Sequence, residues 1–255
     1  MPTIRVGEND LYAAISRRGA AAVVLIHGAG GSRLAWPPEL RRLPGATVYT
    51  VDLPGHGRSS GAGRSRVDAY AGDVLGLMDG VGLESALVVG HSMGGAIAQM
   101  VALAAPDRVA GLLLVSTGPR LPVSDLILDG LKAQFEETVA SISKWSWGPG
   151  ADREWVAQGR QMMVEAGPEA LLGDFVACDR FDVRDRLGEI VAPARVVTGE
   201  EDRMTPPHLG RGLAKGISHA AFSLIPGAGH MVILERPAAV AAVATEFMAQ
   251  LARDQ

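Results

Sequence analysis

Ser92 stands in Gly90-His91-Ser92-Met93-Gly94-Gly95, after the apolar run Ala86-Leu87-Val88-Val89 and before the helix-forming Ala96-Ile97-Ala98-Gln99-Met100. A Gly-x-Ser-x-Gly motif between a buried strand and a helix is a nucleophile elbow. Small flanking residues let the backbone turn sharply, and the hydroxyl projects above the sheet at the positive end of a helix dipole. A serine hydroxyl is a weak nucleophile at neutral pH and needs a base within hydrogen-bond reach. Six histidines compete for that role. His91 adjoins the serine on a sharp turn and points elsewhere. His27 and His56 lie in glycine-rich loops after strands, and His208 and His219 flank a helix of surface type. His230, in Pro226-Gly227-Ala228-Gly229-His230-Met231, follows the last strand and precedes the last helix. From that loop an imidazole can reach the elbow, so His230 is the expected base.

An imidazole base needs a carboxylate to fix its tautomer and stabilise its charged form. Asp202 follows the strand Arg195-Val196-Val197-Thr198 in Gly199-Glu200-Glu201-Asp202 and precedes Thr205-Pro206-Pro207. It is the expected acid, with Glu201 the less favoured neighbour. Asp52 is a rival, but it precedes the serine and ends a different strand. The strand ending at Ser116 carries no acid at its tip. A tetrahedral oxyanion needs N–H donors. The backbone N–H of Met93 is the expected first donor. The second is expected from His27-Gly28-Ala29-Gly30-Gly31-Ser32, at Ala29 or, as the alternative, Gly30. That loop lacks the Gly-x-Gly-x-x-Gly spacing of a dinucleotide cradle.

These residues need a frame. Two short alternating segments, 3–6 and 11–16, read as an antiparallel hairpin. Apolar runs follow at 22–27, 47–52, 86–90, 111–116, 195–199 and 221–225, each ending in Gly or a polar residue. Such runs suit strands buried on both faces of a parallel sheet. Helical patterns at 34–43, 67–81, 93–105, 208–215 and 237–253 alternate with them, giving a doubly wound α/β sheet. Residues 119–182 break the rhythm. They carry only helical pattern, interrupted at Trp145-Ser146-Trp147-Gly148-Pro149-Gly150 and Gly167-Pro168, and predict a cap above the sheet's C-terminal edge. The expected division is therefore core 1–118, cap 119–182 and core 183–255.

His27-Gly28-Ala29-Gly30-Gly31-Ser32, Asp52-Leu53-Pro54-Gly55-His56-Gly57-Arg58-Ser59, Gly90-His91-Ser92-Met93-Gly94-Gly95, Gly199-Glu200-Glu201-Asp202 and Gly229-His230 together resemble the α/β-hydrolase superfamily. The likeness is to its small bacterial esterases, enol-lactonases, carbon–carbon hydrolases and cofactor-free peroxidases, and it covers nearly everything but the cap. The chain order Ser, Asp, His is the order of that fold. The resemblance implies a mostly parallel eight-stranded sheet with helices on both faces and a helical cap between strands six and seven. It implies a serine hydrolase that cleaves a small to medium carboxylic ester or lactone through an acyl-enzyme on Ser92, with no cofactor. It leaves open a carbon–carbon hydrolase or enol-lactonase of aromatic catabolism, a cofactor-free perhydrolase, and a small-ligand receptor.

The cap holds Phe135, Trp145, Trp147, Met162, Met163 and Phe175, some of which are expected to line an apolar pocket over Ser92, with Phe135, Trp145, Trp147, Met162 and Met163 as the chosen lining. Arg33, Arg120 and Arg180 are candidates for holding a substrate carboxylate. The lone Cys178, in an apolar helical context, reads as a buried packing residue and excludes an internal disulfide. No metal-ligand spacing occurs. The net charge of −4 gives no reason to expect nucleic acid as a partner, and no apolar run has the length of a membrane span. The N-terminus lacks the pattern of a secretory leader, so a cytoplasmic protein acting on a small molecule is expected.

Overall fold

The computed structural model describes residues 3–253; Met1 and Pro2, the start of the segment read as leaderless, lie outside them. Strands β1 (Thr3–Val6) and β2 (Asn9–Arg17) form the expected hairpin, with Val6 opposite Asn9. Only Gly7 and Glu8 remain in the turn, and Gly7 takes the left-handed φ of 57° that it demands. Strands β3 (Ala21–Ile26), β4 (Ala46–Val51), β5 (Ala86–His91), β6 (Val109–Val115), β7 (Ala194–Gly199) and β8 (Ala220–Ile225) complete a sheet of order β1-β2-β4-β3-β5-β6-β7-β8. All neighbouring pairs from β4 to β8 are parallel, and β2 joins β4 antiparallel.

Continuous apolar runs form these strands because both faces are covered. Val24 and Ile26 of β3, and Leu112 and Leu114 of β6, enter one core; Val23, Leu25, Leu113 and Val115 enter the other. The alternation is the two-residue period of a strand with no solvent side. Helices α2 (Val67–Gly80), α3 (Met93–Ala104) and α7 (Pro207–Gly216) cover the first face, and α1 (Pro38–Arg41) and α9 (Pro237–Leu251) the second.

The single helix expected over 34–43 does not form. A 3₁₀ turn, Arg33–Ala35, is followed by an extended Pro37 (φ −72°, ψ 161°) and then by the short α1. Pro37 and Pro38 lack N–H donors, and Pro38 pushes its predecessor out of the helical region. Between β6 and β7 lie α4 (Asp125–Ala133), α5 (Phe135–Ser146) and α6 (Arg153–Asp179), the cap helices. The break at 145–150 separates α5 from α6, and Gly167, with φ 82° before Pro168, kinks α6. A short α8 (Val232–Glu235), which the sequence pattern does not suggest, follows His230. Among the described residues no helix is long and apolar enough to cross a membrane.

Candidate active site

Ser92 adopts φ 55° and ψ −121°, one of two non-glycine residues with positive φ among those described. Its N–H donates to Val115 O (2.9 Å) and its carbonyl accepts from Gly95 N–H (2.8 Å). The turn has no room for side chains. A Cβ on Gly90 would overlap the Gly94 carbonyl, and one on Gly94 would overlap the Ile26 carbonyl. The strained φ is held by this enforced closeness. Although Ser92 caps α3, its hydroxyl does not bond the helix N-terminus. It lies 2.9 Å from His230 Nε2 instead.

His230 Nδ1 faces both Asp202 oxygens, at 3.1 and 3.0 Å. Nδ1 therefore carries the proton, which leaves Nε2 as the acceptor for the Ser92 hydroxyl. Asp202 sits in a tight turn beyond β7. Its Oδ1 accepts from the N–H groups of Met204 (3.0 Å) and Thr205 (2.8 Å), and its Oδ2 from Thr205 Oγ1 (2.8 Å). Burial works to raise the Asp202 carboxyl, but His230 and the Thr205 donors outweigh it and hold it below its ordinary value. Glu201 is exposed. Asp52 is engaged elsewhere, taking Arg33 Nη1 (2.6 Å) and the Arg58 N–H (2.9 Å) on Oδ2.

The remaining buried histidines are structural. His91 Nε2 donates to the carbonyl of His230 (2.9 Å), and burial with the neighbouring His230 lowers it to about 3. His27 donates from Nδ1 to Gly28 O and accepts the Leu53 N–H on Nε2; burial, then His56, lowers it to about 4. His56 differs. Both of its nitrogens face acceptors, Pro54 O (3.0 Å) and Asp174 Oδ2 (2.9 Å). Burial opposes its charge, yet Asp174 prevails and raises it above 6.5.

These opposite directions give a pH dependence of stability. Between 6.5 and about 4 the unfolded chain takes up protons on His27 and His91 that the folded chain cannot, so stability falls on acidification. The His56 contribution is complete below 6.5 and is lost as pH rises through its raised folded value. The expected Tm is highest near pH 6.5 and lower on both sides. A Tm that climbs between pH 6.5 and 4 in a thermal melt series would contradict the buried neutral histidines.

Among the described residues the N–H groups of Met93 and Ala29 have no protein acceptor. That of Gly30 donates to Asp174 Oδ2 (2.8 Å), which removes Gly30 as the alternative donor. Two clefts meet at Ser92, His230, Phe175, Cys178 and Met204. The first, of about 670 Å³ including its mouth, runs beneath α5 and α6 and is lined by Trp147, Met162, Met163 and Met231. The second opens between the segment after β6 and the turn after Asp202, past Leu121, Val123, Ile127, Trp145 and Arg203.

Of the expected lining, Trp145, Trp147, Met162 and Met163 reach the clefts and Phe135 does not. Phe135 packs against the cap's own core, with Leu131, Val139 and Ile142. Phe175, on α6, lines both clefts. Arg33, Arg120 and Arg180 also miss the clefts. Arg33 pairs with Asp52, Arg120 joins Asp182 through an isolated antiparallel backbone bridge, and Arg180 donates to Ser65 O. Arg203 lines the second cleft, exposed and, among the described residues, without an ion pair. Its signal was its place directly after the acid. Thr205, Glu235 and Asp174 also escape sequence reasoning. Glu235 accepts the N–H of Gly148 in the cap (2.9 Å) and that of Gly229, beside His230 (3.0 Å).

The model of the alpha/beta hydrolase family matches residues 23–243, and the chain belongs to that family. It is an enzyme of that fold. It is 30% identical over 253 residues to the 2-hydroxy-6-oxo-6-phenylhexa-2,4-dienoate hydrolase of Comamonas testosteroni, covering 90% of this chain and 88% of that one. A solved thermophilic esterase superposes with a TM-score of 0.87 at 32% identity, over 97% of this chain and 96% of the other. The enol-lactonase of Burkholderia xenovorans LB400 superposes at 0.86 with 26% identity, over 96% and 98%.

Proposed function

We propose that the protein hydrolyses a small to medium carboxylic ester or lactone through an acyl-enzyme on Ser92. The observation that carries this reading is the line Asp202–His230–Ser92, with bonds of 3.0 and 2.9 Å, beside two unengaged N–H groups. As Ser92 Oγ bonds the carbonyl carbon, its proton passes to His230 Nε2. The carbonyl oxygen becomes an anion held by the N–H groups of Met93 and Ala29. Collapse of the adduct breaks the bond to the leaving oxygen, which takes the proton from Nε2. Water then repeats the sequence and frees the acid. Asp202 keeps the proton on Nδ1 and stabilises the imidazolium between steps. A panel of chromogenic esters tests the proposal. Repeated turnover supports it, and one binding event without turnover marks a receptor.

The first cleft sets the expected substrate size. Its methionines are unbranched and polarizable and adapt to compact apolar groups. Each added acyl methylene is expected to raise kcat/KM by less than about 1 kcal/mol of binding until the cleft is full, after which crowding lowers it. A p-nitrophenyl ester series should peak at short to medium chains. A maximum at long chains, or a rate jump above the micellar threshold, would contradict this.

One observation favours carbon–carbon hydrolysis as a second reading: the unpaired Arg203 beside the Comamonas relative's named dienoate activity. A dienoate substrate turned over faster than any ester in the panel would select it.

A further inference from the structure

Asp174 lies in the second half of α6, on the cap, and its carboxylate is fully buried. It gathers donors from three separate parts of the core. Oδ2 accepts from Gly30 N–H (2.8 Å) and His56 Nε2 (2.9 Å), and Oδ1 from Tyr70 OH (2.6 Å). His56 and Tyr70 lie away from the clefts. Gly30 belongs to the loop that presents Ala29 to Ser92.

In that loop Gly31 N–H is committed to Gly28 O (3.1 Å) and Gly30 N–H to Asp174, while Ala29, which lines the first cleft, has no acceptor for its N–H among the described residues. Leu171, one turn before Asp174, packs so closely on Gly30 that a Cβ there would overlap it. Phe175 and Cys178, just beyond Asp174 on the same helix, line both clefts. One helix thus touches the substrate space and grips the loop. A buried carboxylate is weak evidence for stability, since an apolar residue of similar volume often serves as well or better. Its three directed bonds fix geometry instead.

We propose that Asp174 is a positioning residue, through which the cap holds the Gly28–Gly31 loop so that Ala29 N–H faces the developing oxyanion. This rests on the acyl-enzyme reading above. Asp174→Leu keeps the fork at Cγ and removes both acceptors. Removing one oxyanion donor typically costs 10²–10³ in kcat, so the expected loss is about 10²-fold in kcat with KM within about threefold. The affinity for phenylboronic acid, which mimics the tetrahedral adduct, should fall by a similar factor. Asp174→Asn retains an oxygen that can take the Gly30 N–H and should recover most of both losses. Tyr70→Phe removes a donor unconnected to the loop; it should lower Tm and leave kcat within about threefold. Asp174→Ser, which admits water at the vacated carboxylate, carries the same expectation as Asp174→Leu should the latter not fold. A folded Asp174→Leu or Asp174→Ser with wild-type kcat and boronate affinity would overturn the proposal. So would equal kcat losses in these variants and in Tyr70→Phe. A wild-type protein that turns over no ester would instead refute the acyl-enzyme reading, so the two failures are distinguishable.

Discussion

Ser92→Ala is expected to lower kcat for ester hydrolysis by about 10⁶-fold, the scale on which a serine hydrolase loses its nucleophile, while the chain stays folded. Without the hydroxyl, His230 has nothing to deprotonate except water. What remains is the ability of Met93 and Ala29 N–H to polarise a bound carbonyl. The structural cost is small. Ser92 Oγ makes one side-chain hydrogen bond, to His230, and none to its own helix. Losing one such bond costs about 1 kcal/mol, a Tm change of about 2–4 °C at this chain length. The strained φ of 55° is imposed by the glycines around it and persists with alanine. A Ser92→Ala protein that keeps its activity would place the nucleophile elsewhere.

Asp202→Asn is expected to cost about 10⁴ in kcat, the loss that follows when an amide favours the wrong imidazole tautomer in a Ser-His-Asp system. Every group around Asp202 donates. Met204 N–H, Thr205 N–H, Thr205 Oγ1 and His230 Nδ1 all point at its two oxygens. An asparagine has one acceptor oxygen for them, and its NH₂ must face either a donor or His230. If it faces His230, Nδ1 becomes an acceptor, the proton moves to Nε2, and Ser92 loses its base. Glu201→Gln is expected to leave kcat within about twofold, because Glu201 is exposed. Kinetics of the two variants side by side decide the matter. A severe loss in Glu201→Gln with little in Asp202→Asn would make Glu201 the acid.

How much of this the sequence reveals follows from the range of the interactions. The strands were legible because two-sided burial writes itself as continuous runs such as Ala86-Leu87-Val88-Val89. The elbow is legible because its glycine pattern is local, with Gly90 against the Gly94 carbonyl, even though Gly94 is also held by Ile26 of β3. The positions of Asp202 and His230 followed from strand ends, which topology brings to one edge. The helix expected at 34–43 does not form because Pro37-Pro38 interrupts the apolar spacing that suggests it. Phe135 and Phe175 are alike in sequence, both aromatic on cap helices, and only the packing of α5 on α6 decides which one lines the clefts. The same holds for Arg33 and Arg203, since an ion pair with Asp52 depends on the fold of both loops. Asp174 was invisible for a related reason. Its bond to Gly30 spans 144 residues, and nothing local marks a carboxylate on an otherwise ordinary helix.

An acyl-enzyme is a covalent bond at one atom, Ser92 Oγ. Incubating the protein with a p-nitrophenyl alkylphosphonate and mapping its peptides by mass spectrometry reads that bond. The expected result is one adduct per chain, on the peptide holding Ser92 and at Ser92 itself, appearing in step with the loss of ester turnover and absent from Ser92→Ala. An adduct on another residue, or turnover that persists with Ser92 fully labelled, would contradict an acyl-enzyme on Ser92.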